Sequence, residues 1–164
     1  MAAPTLGDII QAVGSPVEWG VTPIGTSLAS AKPTADITGL TGSGYVSLGS
    51  EYFDIGNNFS TSYYTCPVTG YYHVKFGIHI FPVGGGYIIA FFGVVDDGST
   101  INYVRGTRSS GAFYGFVSSN GSKLVHLTAG DKLYLWFYLT VSAGKTATIE
   151  AGSTFMTIHL VSKG

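Results

Sequence analysis

The chain has 164 residues, enough for one domain with an additional arm. Eight Lys and Arg offset nine Asp and Glu for a formal net charge of -1, and charged residues make up only 10% of the chain. That balance lacks the concentrated positive field that nucleic acid or an acidic membrane requires, so neither is an expected partner. Mean hydropathy is +0.32, more apolar than one small core needs, and a large subunit interface is the expected outlet.

The longest apolar run, Tyr87 to Val95, is about half the length of a membrane-spanning helix. The N-terminal stretch MAAPTLGDIIQAVG lacks the basic and hydrophobic regions of a secretory signal. A product of a host cytoplasm that is not secreted is therefore expected. The single cysteine, Cys66, excludes an internal disulfide and reads as a buried small apolar residue.

Residues 1–42 read as an arm. Thr5-Leu6-Gly7-Asp8 has capping-box form, and Leu6, Ile9, Ile10 and Val13 fit the apolar face of one short helix. Pro16, Pro23, Pro33 and several glycines then punctuate an extended segment. Val17, Trp19, Val21 and Ile24 are too apolar for an idle linker, and Ile9, Ile10 and Trp19 are the expected anchor.

Residues 43–164 read as the β-domain. Tyr45, Val46 and Leu48 suggest a short strand, followed by Tyr52 to Ile55 and a Gly-Asn-Asn turn. From Tyr71 the pattern has period two: Tyr72, Val74, Phe76, Ile78 and Ile80 fall on one face, and Tyr71, His73, Lys75, Gly77 and His79 on the other. Gly84-Gly85-Gly86 lacks the basic residue of a phosphate loop and reads as a turn. Tyr87 to Val95 is apolar on both faces, which calls for a second covering. Asp96-Asp97-Gly98 is a hairpin signal; a calcium role would need six to eight oxygens, so a turn is expected. Ser119-Asn120-Gly121-Ser122 reads as another turn. Leu133, Leu135, Phe137 and Leu139 give one strand an aliphatic face, with Tyr134, Trp136 and Tyr138 on the other. Thr146 to Glu150 and Ser153 to Val161 close the sheet. Such short strands between turns predict an all-β sandwich or jelly roll of about ten antiparallel strands.

Three stretches carry a family resemblance. Cys66-Pro67-Val68-Thr69-Gly70-Tyr71-Tyr72 resembles the "F-x-A-P-x-x-G-x-Y-x-F" signature of C1q-like globular domains, relatives of the tumour-necrosis-factor fold. Leu124 to Leu135 is similar to that family's "L-x-L-x-x-G-D-x-V-x-L" element, and Ser153 to Leu160 to its closing strand. Cys66 stands where the family has a small residue before the proline, and Thr157 where it has a glycine. The resemblance covers residues 51–161. It implies a ten-stranded jelly roll and a homotrimer with a threefold aromatic interface. Tyr87, Ile89, Phe91, Tyr134, Trp136 and Tyr138 are the expected interface residues.

No catalytic set stands out. His73 and His79 share a strand face but lie about 20 Å apart at strand rise, too far to chelate one ion. His126 and His159 have no acidic neighbour at zinc-site spacing. No metal, cofactor or enzymatic activity is expected. Asn58-Phe59-Ser60 and Asn120-Gly121-Ser122 match glycosylation sequons by pattern only. Two functions remain. One is a structural homotrimer on a virion surface, a capsid decoration (cement) protein of a tailed phage held to the shell by its arm. The other is a receptor- or carbohydrate-binding head whose distal loops, with Arg108 and Asn120, make the contact.

Overall fold

The structure, a computed structural model, describes residues 27–83, 88–96 and 117–164. Its strands are β1 (Leu28–Lys32), β2 (Ile37–Leu40), β3 (Gly42–Tyr45), β4 (Ser50–Ile55), β5 (Tyr64–Thr65), β6 (Gly70–Val83), β7 (Ile88–Asp96), β8 (Val117–Leu127), β9 (Lys132–Val141), β10 (Thr146–Ile149) and β11 (Phe155–Lys163). That makes eleven strands among the described residues where about ten were expected. They form two antiparallel sheets. The larger has seven strands: β6 carries β8 along one edge and both β10 and β11 along the other, and β1 and β4 extend it beyond β11. The smaller centres on β9, which pairs with β7 on one side and with β3 and β5 on the other.

The core is the alternation read on both sides. Tyr72, Val74, Phe76, Ile78 and Ile80 of β6 are at most 1% exposed. Met156, Ile158 and Leu160 of β11 join them, and Leu133, Leu135, Phe137 and Leu139 of β9 meet them from the other sheet. A strict period of two fixes the register, because a slip of one residue would turn each of these sets to solvent.

The three stretches that carry the family resemblance meet at one end of the sandwich. Gly70 opens β6 between Leu127 of β8 and Lys163 of β11. A Cβ at Gly70 would collide with the Ser162 carbonyl and the Leu160 side chain, so glycine is required there by close backbone approach. The Cys66 N–H donates to the Asp131 carbonyl and the Gly130 N–H to the Cys66 carbonyl, each at 2.8 Å. The Tyr72 hydroxyl closes the corner by donating to the Val68 carbonyl at 2.7 Å.

Two expectations are corrected. The domain does not begin at residue 43. β1 pairs with β11 and β4, and β2 pairs with β10, so residues 28–40 are part of the larger sheet. Low β-propensity in Leu28-Ala29-Ser30-Ala31-Lys32 hid this strand, since alanine is depleted in sheets and burial alone holds it. Ser119 to Ser122 is not a turn either. It runs inside β8, paired with Lys75 through Ile78. Its Asn-Gly pair looks like a hairpin signal, but Gly121 serves packing. The Phe76 ring lies 2.5 Å from where a Gly121 Cβ would stand. Gly121→Ala is therefore expected to destabilise the fold by about 1–3 kcal/mol through overpacking. Chemical denaturation would read this, and Phe76→Leu in the same chain should recover part of the loss. Full stability in Gly121→Ala alone would show that the ring yields freely.

Candidate functional site

Two outward sheet faces and one imidazole–carboxylate hydrogen bond gather the chemistry of the described residues. The larger sheet presents Phe53 and Ile55 from β4, Tyr71 from β6, Leu124 from β8 and Val161 from β11, each 41–53% exposed. The strand register places a band of side chains side by side across this face: Leu124, His73, His159, Leu28 and Ile55. His73 and His159 stand edge to face with ring centroids 5.0 Å apart. Tyr71 and His126 repeat the arrangement at 5.0 Å. Burial pushes the His159 imidazole below its ordinary pKa, and His73 beside it adds to the effect.

The smaller sheet presents aromatic side chains. Tyr134 lies 4.7 Å from Tyr45 and 5.4 Å from Tyr63 between ring centroids. Trp136 and Tyr138 stack at 6.5 Å. The Lys132 ammonium lies 4.9 Å from the Tyr63 ring centre, within cation–π range. Tyr45 and Tyr138 are 58% and 42% exposed.

At the far end of β6, His79 Nδ1–H donates to Glu150 Oε2 at 2.6 Å. The Glu150 N–H donates to the His79 carbonyl at 2.9 Å, and the His79 N–H to Thr154 Oγ1 at 3.2 Å. These bonds fasten β6 to the 3-10 turn Ala151–Ser153 that leads into β11. Hydrogen bonds from His79 and then Ser153 hold the Glu150 carboxyl below its usual range. A depressed carboxyl pKa contributes stability above the unfolded value, and that contribution disappears as pH falls through the folded value. Glu150→Gln should thus lower the denaturation midpoint at pH 7, with the gap to the parent closing as pH falls below 4. A gap independent of pH would remove the charge from the account.

Of the expected interface residues, Tyr134, Trp136 and Tyr138 lie on the outer face of β9. Ile89 and Phe91 occupy β7 opposite Thr140 and Tyr138. Tyr87, Arg108 and the anchor residues Ile9, Ile10 and Trp19 lie outside the described residues. Asp96 ends β7, and Asp97 also lies outside them. Asn120 was expected on a distal loop and instead sits within β8 opposite Gly77, because the Asn-Gly turn does not form. Sequence spacing missed two pairings, His73 with His159 and His79 with Glu150. Both join residues far apart in the chain, and only the strand register brings them together. Among the described residues no three His, Cys, Asp or Glu side chains gather into a metal-sized cluster.

No protein-family model matches this sequence, and no curated protein matches it significantly. Solved structures do match its fold. The Eiger TNF of S. frugiperda superposes with a TM-score of 0.57 at 12% identity, over 84% of this chain and 94% of that one. The globular domain of zebrafish complement 1qA gives 0.58 at 15% identity, over 85% and 99%. Murine APRIL gives 0.55 at 12% identity, over 82% and 98%. With its paired antiparallel sheets and these neighbours, the chain has the C1q/TNF-like jelly-roll fold.

Proposed function

We propose that this chain is a non-enzymatic structural protein that assembles as a homotrimer and decorates the outer surface of a viral capsid. The observation that carries self-association is the outer face of the larger sheet. Its exposed apolar side chains extend over β4, β6, β8 and β11 on one face, flanking the His73 and His159 pair, and exposed apolar side chains gathered on one face mark an interaction surface. Leu124, Ile55, Phe53 and Val161 have no polar tip to leave in water, so cover by another copy stabilises them. The aromatic face of β9 supports association less strongly, because tyrosine and tryptophan tolerate a half-wet position. The threefold number rests on the resemblance to C1q-like domains. The capsid role rests on the sparse charge of the chain and on the apolar residues Ile9, Ile10 and Trp19 within its Gly-, Ser- and Thr-rich arm.

Light scattering on the full chain is expected to give three times the chain mass. Co-sedimentation with capsids should then show binding that Trp19→Ala weakens. A monomer would end the assembly reading, and a trimer that ignores capsids would end the decoration reading alone. The cluster of Tyr45, Tyr63, Tyr134, Trp136 and Tyr138 favours one second reading, a carbohydrate-binding head that stacks sugar rings on the smaller sheet. Oligosaccharide binding lost in Tyr134→Ala would support it.

A further inference from the structure

We propose that His73 and His159 together form a binding site for one divalent transition-metal ion per chain. The two residues are direct partners in the ladder of β6 and β11, and both project from the outer face of the larger sheet. Their ring centroids are 5.0 Å apart at an interplanar angle of 69°. An imidazole nitrogen binds zinc at about 2 Å, so two rings sharing one ion at a tetrahedral angle stand with centres about 5 Å apart. The pair already has that separation, and both residues are anchored in the long central strands of the sheet. The rings now meet edge to face, so receiving an ion requires them to turn about their side-chain torsions until one nitrogen of each faces it.

The surroundings suit this ligand set. Leu124 from β8 and Leu28 from β1 continue the row on either side, and neither competes for the ring nitrogens. Tyr71 and Lys75 are the next outward residues of β6, and Thr157 and Val161 those of β11. Lys75 is the only formal charge among these flanking residues. Its ammonium stands 5.9 Å from the Phe155 ring centre, over a residue further from His159 along β11. With two imidazoles and no carboxylate, the site selects ions that favour nitrogen: zinc, nickel and copper before magnesium or calcium. While this face is uncovered, the remaining coordination positions go to water.

Both ligands come from one chain, but they lie between Leu124 and Leu28 on the face that the proposed trimer covers, so the site is read on the uncovered chain and competes with assembly. The test is calorimetric titration of the full chain with ZnCl2 at pH 7.5 in a buffer free of chelators. One saturable ion per chain is expected. His73→Ala and His159→Ala should each weaken binding by about tenfold or more, because a single imidazole loses the intramolecular advantage of the second. His79→Gln, six residues along β6 from His73, should leave binding unchanged. His159→Gln keeps the bulk of the side chain and gives the same reading should the alanine variants melt early. Absence of saturable binding overturns the proposal. So does binding that survives both His73 and His159 substitutions, or that His79→Gln abolishes. Light scattering with and without zinc separates this result from assembly: a monomer that binds zinc keeps the metal site and ends the trimer.

Discussion

A chain beginning at Ser43 is expected not to fold. The cut looks natural from composition, since the preceding residues are rich in glycine, proline and small side chains. In the structure it removes β1 and β2. β1 lies between β11 and β4, with Leu28 to Ala31 paired to His159 through Met156 on one side and with Leu28 to Lys32 paired to Ile55 through Ser50 on the other. Ala29 and Ala31 are fully buried, and the Ser30 and Thr157 hydroxyls share a hydrogen bond of 2.8 Å. Among the described residues β4 has no other strand neighbour, so its pairing is lost with β1. β2 supplies the outer edge beside β10. Deleting these segments strips two ladders from β1 and uncovers the edge of β11. The loss should exceed about 5 kcal/mol, comparable with the whole stability of a small domain. Far-UV circular dichroism and amide NMR dispersion of the shortened chain would show it. A dispersed spectrum with a cooperative melt would restore the boundary at residue 42.

The same comparison shows what the sequence makes legible. The period-two faces of β6 and β9 were readable because Tyr72 to Ile80 and Leu133 to Leu139 alternate without interruption, and burial of one face enforces that alternation. The Cys66–Gly70 corner was readable because backbone crowding permits only glycine at Gly70. β1 was not, because its residues carry little β-preference and are held by neighbours on both sides. β8 was broken in two by its Asn-Gly pair, a local turn signal overridden when Gly121 makes room for Phe76. The histidine pairings lie beyond any spacing rule. His73 meets His159 because the final strand returns beside β6 in one register, and register is a property of the assembled sheet.

Leu124→Asp is expected to convert the assembled protein to monomers while leaving the monomer folded. Leu124 lies on β8 beside His73, is 53% exposed in the single chain, and belongs to the apolar tract across the larger sheet. A carboxylate there is hydrated in the monomer, so its cost to folding is small. Inside a dry interface the same carboxylate has no partner, and burial costs several kcal/mol at each copy. A trimer repeats that cost at every subunit, which is enough to abolish association at micromolar concentration. Tyr138→Asp and Trp136→Ala test the competing surface on β9, where removing a packed aromatic would cost about 3–5 kcal/mol if that face were the contact. Light scattering on the three variants separates the surfaces. Dissociation by Leu124→Asp alone assigns the interface to the larger sheet. Dissociation by the β9 variants alone moves it to the aromatic face, and the apolar tract then needs another partner. If all three remain assembled, neither face carries the contact and the homotrimer must form through other parts of the chain.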